Sequence, residues 1–264
     1  MELGLQGKVA LITGGSRGIG LRTAHRFADE GCHIAICGRD PAPLATAAEE
    51  LGQKGVRVAA IQADVTQPAE AAQIIEQSVA QLGGIDILVN NVGGATGGRL
   101  LEATDEDWLR TFELNVFQIV RMTRLAVPHL RQRGSGAIVN VASISGWQAQ
   151  LAGTAQYGSS KAAAIFMTER LALELVHDQI RVNIVSPGSI IWEGGSWDRF
   201  RQRNPASFDA YVRDGFPMGR LGAPEEVADV IVFLASPRAH WVNGRHIPVD
   251  GLEQPTPVQE YRPW

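Results

Sequence analysis

Short apolar runs bounded by turn residues alternate along this chain with longer segments of helical period. Val9–Thr13, His33–Cys37, Arg57–Gln62, Ile85–Asn90, Ala137–Ser143, Arg181–Ser186 and Arg245–Val249 read as seven strands, with helices predicted near 18–30, 41–53, 68–82, 104–132, 155–177 and 224–235. Strands covered on both faces lose the in-out alternation and become nearly continuous apolar runs, as these are. Repeated strand-helix alternation implies an α/β fold with a doubly wound, seven-stranded parallel sheet and helices on both faces. Asp40-Pro41 and Thr104, followed by Asp105–Asp107, supply helix-start signals at the expected places. No composition break or low-complexity run divides the 264 residues, so one domain is expected over 1–264. The exception is the aromatic-rich segment 189–221, which has no strand signal and reads as a lid inserted over a site.

Directly after the first run comes Thr13-Gly14-Gly15-Ser16-Arg17-Gly18-Ile19-Gly20, and a helix follows. Glycines at such a strand-to-helix turn let backbone N–H groups approach a pyrophosphate at the positive end of the helix dipole. The domain is therefore expected to be Rossmann-type. The spacing Gly14, Gly18, Gly20 departs from the commonest fingerprint, and a ligand-free turn is the alternative. An acid about 20 positions on would accept from the ribose hydroxyls of NAD; Gly38 and Arg39 stand there instead. Arg39, with Arg17, can form charged hydrogen bonds to a 2′-phosphate, which favours NADP(H) over NAD(H). Asp40 reads as a helix cap or a competing acid. Asp64 and Val65 read as neighbours of the adenine, or Asp64 as a cap. Asn90 and Gly93, in Asn90-Asn91-Val92-Gly93, read as neighbours of a ribose or, for the asparagines, as bridges between strands.

Tyr157 and Lys161 are four apart and share one helix face. An ammonium beside a phenol favours the phenolate, which would make Tyr157 a tunable proton donor, although surface Tyr-Lys pairs also occur. Ser143 ends the fifth run, at the sheet edge where doubly wound folds bind ligands, and its hydroxyl can orient a carbonyl or cap a turn. Asn115 sits in the middle of a predicted helix, where Asn competes for backbone hydrogen bonds and suggests a kink.

Taken in order over nearly the full length, Thr13–Gly20, Asn90–Gly93, Asn115, Ser143, Tyr157-x-x-x-Lys161, Ser186-Pro187-Gly188, Arg220–Glu226 and Val249-Asp250-Gly251 resemble the short-chain dehydrogenase/reductase family, among its carbonyl reductases and 3-oxoacyl-carrier-protein reductases. The resemblance implies Asn115, Ser143, Tyr157 and Lys161 as a catalytic tetrad: Tyr157 the general acid, Ser143 the carbonyl orienter, Lys161 the charge that lowers the Tyr157 pKa and binds the nicotinamide ribose, and Asn115 the holder of a relay water. Tyr157, Lys161, Pro187, Gly188 and the Ile190 backbone are implied coenzyme contacts, with Trp192 standing where the family commonly has Thr. The implied reaction is hydride transfer between NADP(H) and a ketone or secondary alcohol. The runner-up is an NAD-dependent dehydrogenase of a sugar, polyol or hydroxysteroid, and the remote alternative a non-catalytic dinucleotide-binding regulator. A homotetramer is also implied, and the segment 252–264, ending in Tyr261 and Trp264, is expected to cross a subunit interface and line a neighbour's pocket.

Composition narrows the partners. With 24 Lys+Arg against 28 Asp+Glu there is no basic field for nucleic acid. Apolar runs as short as Val230–Ala235 argue against a membrane span, and the start of the chain has no signal-peptide pattern, so a cytoplasmic location is expected. Cys32 and Cys37 flank one strand, roughly 16 Å apart at strand rise, too far for a disulfide. The six His form no HxxxH pattern and the cysteines no CxxC, so no metal site is expected.

Overall fold

The computed structural model describes residues 2–149 and 153–255. Seven strands, β1 (Val9–Thr13), β2 (His33–Gly38), β3 (Val58–Gln62), β4 (Ile87–Asn90), β5 (Gly136–Val141), β6 (Ile180–Pro187) and β7 (His246–Val249), form one sheet in the order β3-β2-β1-β4-β5-β6-β7. Every pairing is parallel, with β1 in register on β2 from Val9 opposite His33 to Thr13 opposite Cys37. The order reverses between β1 and β4, which opens a crevice beyond their carboxyl ends.

The helices are α1 (Gly18–Asp29), α2 (Pro41–Gly52), α3 (Pro68–Leu82), α4 (Asp105–Phe112), α5 (Gln118–Gln132), α6 (Ala155–Leu175), α7 (Ser196–Arg203), α8 (Pro205–Gly215) and α9 (Pro224–Ala235). Successive strand residues point to opposite faces, so Ala10 and Ile12 enter one core with Phe27 of α1, Leu51 of α2 and Ile231 of α9. Val9 and Leu11 enter the other, with Ile74 of α3, Met122 of α5 and Leu175 of α6. Each such aliphatic side chain contributes about 1.5–3 kcal/mol when fully buried. Both cysteines are buried free thiols, and burial pushes each up to about 12.

Thr104 caps α4 as its sequence suggests: its hydroxyl accepts from the Asp107 N–H at 3.2 Å, while the Asp107 carboxylate accepts from the Thr104 N–H at 3.0 Å. The single helix predicted over 104–132 is interrupted by a π-helical turn, Glu113–Phe117, centred on Asn115. Asn115 Nδ2 donates to the Thr111 carbonyl at 2.9 Å, four residues back, and so competes for the ladder in the way its position suggests. Segment 189–221 is helical: α7 and α8 close on a small core of their own, Trp197, Phe200, Phe208, Tyr211, Phe216 and Leu221.

Candidate active site

A cavity of about 540 Å³ lies at the carboxyl ends of β1, β4, β5 and β6, where the strand order reverses. One end of it is the glycine turn. Gly14 (φ 67°) and Gly18 (φ 55°) adopt the left-handed conformation that glycine reaches without strain. Arg17 stands at the N-cap of α1 without a side-chain acceptor for the first-turn N–H groups, which suits an anion arriving from outside. Gly14, Ser16, Arg17, Gly18 and Ile19 line the cavity. Gly20 stands behind them, where a Cβ would lie 2.3 Å from the Gly14 carbonyl oxygen, so its role is to let α1 close on the turn.

Arg39, Asp64 and Val65 line the same end, and Arg17 and Arg39 are exposed. Asp40 occupies the N-cap position of α2, yet its side chain forms no cap bond and it too lines the cavity. Asp64 Oδ1 accepts from the Thr66 N–H at 2.9 Å and the Thr66 hydroxyl at 2.8 Å, which holds the turn leading into α3. Asn90 is a bridge between strands rather than a neighbour of a ribose, the second of its two readings. It is buried away from the cavity, and its Nδ2 donates to Asn140 Oδ1 at 2.9 Å, bridging β4 to β5; Asn91 and Gly93 line the wall instead. The Trp192 ring packs on the phosphate loop, its Cε2 3.1 Å from where a Cβ on Gly18 would stand. The residue standing where the family commonly has Thr thus reaches the entrance of α1.

Ser143, Tyr157 and Lys161 meet at the other end. Ser143 lies just past β5 rather than in it, and its hydroxyl accepts from the Ser145 N–H at 3.2 Å, so the turn that caps it also fixes it in the wall. Tyr157, in the first turn of α6, is half-buried. Lys161 is buried, its Nζ donating to the Val141 carbonyl at 2.9 Å and standing 5.7 Å from the Tyr157 ring centroid. Burial pushes the Tyr157 phenol above its ordinary value, with the Ser143 hydroxyl pulling the other way, and burial pushes the Lys161 amine down to about 7. The low local dielectric penalises the charged form of each.

Asn115 stands behind this group. Its Oδ1 accepts from the Gly94 N–H at 3.1 Å and its Nδ2 donates to the Gly94 carbonyl at 2.6 Å, so the side-chain amide clamps the loop after β4. A Cβ on Gly93 would lie 2.7 Å from Lys161 Nζ and 2.8 Å from Asn115 Oδ1, which is why this loop can pass between them. Gln156, unnoticed in the sequence, ties α6 to the same loop by donating to the Thr96 carbonyl at 2.8 Å and the Gly98 carbonyl at 3.1 Å.

Glu253, at the start of the segment expected to reach a neighbouring subunit, is buried in its own chain's cavity wall, accepting from the Tyr211 hydroxyl at 2.7 Å and the Ser189 hydroxyl at 2.8 Å. Tyr261 and Trp264 lie outside the described residues. Pro187, Gly188 and Ile190 line the cavity as the sequence suggests.

The arrangement joins a dinucleotide-sized crevice to a phenol, a hydroxyl and an amine. The family model described as short chain dehydrogenase matches residues 8–193. The chain belongs to the short-chain dehydrogenase family. Among solved structures of that family's fold, L-sorbose reductase from Gluconobacter frateurii, complexed with NADPH and L-sorbose, is 38% identical with a TM-score of 0.90, over 97% of this chain and all of that one. A 7α-hydroxysteroid dehydrogenase complexed with NADH and 7-oxo glycochenodeoxycholic acid is 30% identical with a TM-score of 0.89, over 98% of each chain. Dehydrogenase/reductase SDR family member 4 of Caenorhabditis elegans is 33% identical over 255 residues, 93% of this chain and 95% of its own length. As a short-chain dehydrogenase, the chain is an oxidoreductase.

Proposed function

We propose that this short-chain dehydrogenase is an NADP(H)-dependent carbonyl reductase, interconverting a ketone and a secondary alcohol with Tyr157 as general acid and base. The observation that carries this is the convergence of Ser143, Tyr157 and Lys161 on the same cavity as the glycine turn Gly14–Gly18. When bound, the coenzyme supplies or takes the hydride. Gly14, Ser16, Gly18 and Ile19 would hold its pyrophosphate, Asp64, Val65 and Asn91 its adenosine side, and Lys161, Pro187, Gly188 and Ile190 its nicotinamide side. Arg39 and Arg17, exposed at the adenosine end, suit a 2′-phosphate.

In reduction the Ser143 hydroxyl orients the carbonyl oxygen and the Tyr157 phenol delivers the proton to it. A phenol that burial pushes above its ordinary value is protonated at neutral pH, as that step requires. The Asn115 clamp on Gly94 and the Gln156 bonds to the 96–98 loop hold the cavity wall against α6. Residues 189–221 form the substrate lid.

The NADH-bound hydroxysteroid dehydrogenase favours a second reading, an NAD-dependent dehydrogenase of a sugar, polyol or hydroxysteroid. A regulator without turnover is disfavoured by the presence of both Tyr157 and Lys161 in the cavity. Assembly as a homotetramer is supported by apolar side chains left exposed on α5 (Val120) and α6 (Phe166, Leu173). Initial rates with a panel of ketones and either NADPH or NADH test the reading: reduction that is faster with NADPH supports it, and no reduction with either coenzyme overturns it.

A further inference from the structure

Beyond the proton donor, one end of the cavity is built around a buried carboxylate. Glu253 is 3% exposed. Its Oε1 accepts from the Tyr211 hydroxyl at 2.7 Å and the Ser189 hydroxyl at 2.8 Å, and its Oε2 accepts from the Ser189 N–H at 2.6 Å. Trp197 stacks on Tyr211 at 4.7 Å and 6°, which fixes the phenol that faces the carboxylate. Gly188 is part of the same design, because a Cβ there would lie 2.7 Å from Glu253 Oε2 and the carboxylate could not come so close to the chain.

A carboxylate has about four acceptor positions. Three donors are in place, so one position is left in a group that borders the cavity shared with Ser143 and Tyr157. Thr154 borders it too, with its hydroxyl buried and without a partner. Buried polar groups carry a cost until they are hydrogen-bonded, and among the described residues no side chain supplies the missing partners, which a molecule entering the cavity can.

We propose that Glu253, with Thr154, determines specificity by hydrogen-bonding hydroxyl groups of a polyhydroxylated ketone, the carboxylate accepting from one of them. This rests on the carbonyl-reductase reading above. An acceptor without a proton of its own selects a donor, so a ketone lacking hydroxyls leaves it unpaired, and a ketone bearing a carboxylate or phosphate meets like charge. Burial raises the Glu253 carboxyl above its ordinary range, while the hydrogen bonds from Tyr211 and Ser189 pull it back down.

The test compares D-fructose and L-sorbose with cyclohexanone, a ketone without hydroxyls, in the full-length enzyme and in Glu253→Gln, with circular dichroism to verify folding. The wild type is expected to reduce both kinds of ketone and to favour a ketohexose in kcat/KM. In Glu253→Gln the ketohexose-to-cyclohexanone ratio of kcat/KM is expected to fall at least about tenfold, mainly through KM. A merely structural role would lower both rates together and leave the ratio unchanged, which overturns the proposal. If Glu253→Gln does not fold, Thr154→Val is read by the same ratio, and an unchanged ratio there overturns it. A wild type that reduces cyclohexanone and neither ketohexose overturns the proposal but leaves the carbonyl-reductase reading standing. No reduction of any of the three ketones with NADPH or NADH overturns both.

Discussion

Lys161 Nζ donates a 2.9 Å hydrogen bond to the Val141 carbonyl oxygen, tying α6 to the end of β5 through a buried amine. Burial lowers that amine from 10.5 to about 7. The unfolded chain therefore keeps this proton up to about 10.5 while the folded protein releases it above about 7. Across that window the unfolded state binds more protons, so rising pH favours the folded state, by at most about 1.4 kcal/mol per pH unit from this one group. Urea unfolding of the coenzyme-free wild type and Lys161→Met at pH 7, 8 and 9 checks this. The wild type is expected to gain stability relative to the variant as pH rises, and parallel pH dependences would count against a buried, depressed amine.

The loop after β4 makes a sharper steric prediction. A methyl group at 93 would lie 2.7 Å from Lys161 Nζ, whereas one at 94 would meet only the mobile end of Leu114 at 3.1 Å. Overpacking of this kind costs about 1–3 kcal/mol. Gly93→Ala is expected to lower kcat/KM by about tenfold or more, and Gly94→Ala by far less. Equal effects in steady-state kinetics would show that the close approach to Lys161 does not matter.

Coenzyme choice rests on Arg39 at the adenosine end of the cavity. A charged hydrogen bond to a 2′-phosphate is worth about 1.5–3 kcal/mol, so Arg39→Ala is expected to lower the NADPH-to-NADH ratio of specificity constants by roughly ten- to a hundred-fold. An unchanged ratio sinks the assignment to NADP(H).

The fold was legible because burial on both sheet faces writes itself into the central strands as continuous apolar runs, and because Thr104 and the Asp40-Pro41 pair mark helix starts locally. Asn115 was legible for the same reason: competition between a side-chain amide and the helix ladder is a local matter, and the π-helical turn is its outcome. What escaped was long-range. Asn90 and Asn91 are indistinguishable in sequence, and only the pairing of β4 with β5 decides that the first faces Asn140 and the second the cavity. Glu253 meets a serine 64 residues earlier, with no periodicity to announce it. The burial that raises the Tyr157 phenol and lowers the Lys161 amine is likewise a product of the whole fold, which their spacing of four does not reveal.

Tyr157→Phe tests the central claim most directly, because it keeps the ring against Lys161 and removes only the hydroxyl that would deliver the proton. Turnover of a ketone with NADPH, measured beside NADPH binding by titration, separates chemistry from coenzyme affinity. The expected result is a loss of turnover of at least about a hundredfold with binding changed by less than about threefold. A variant that keeps more than about a tenth of wild-type turnover would contradict proton donation by Tyr157.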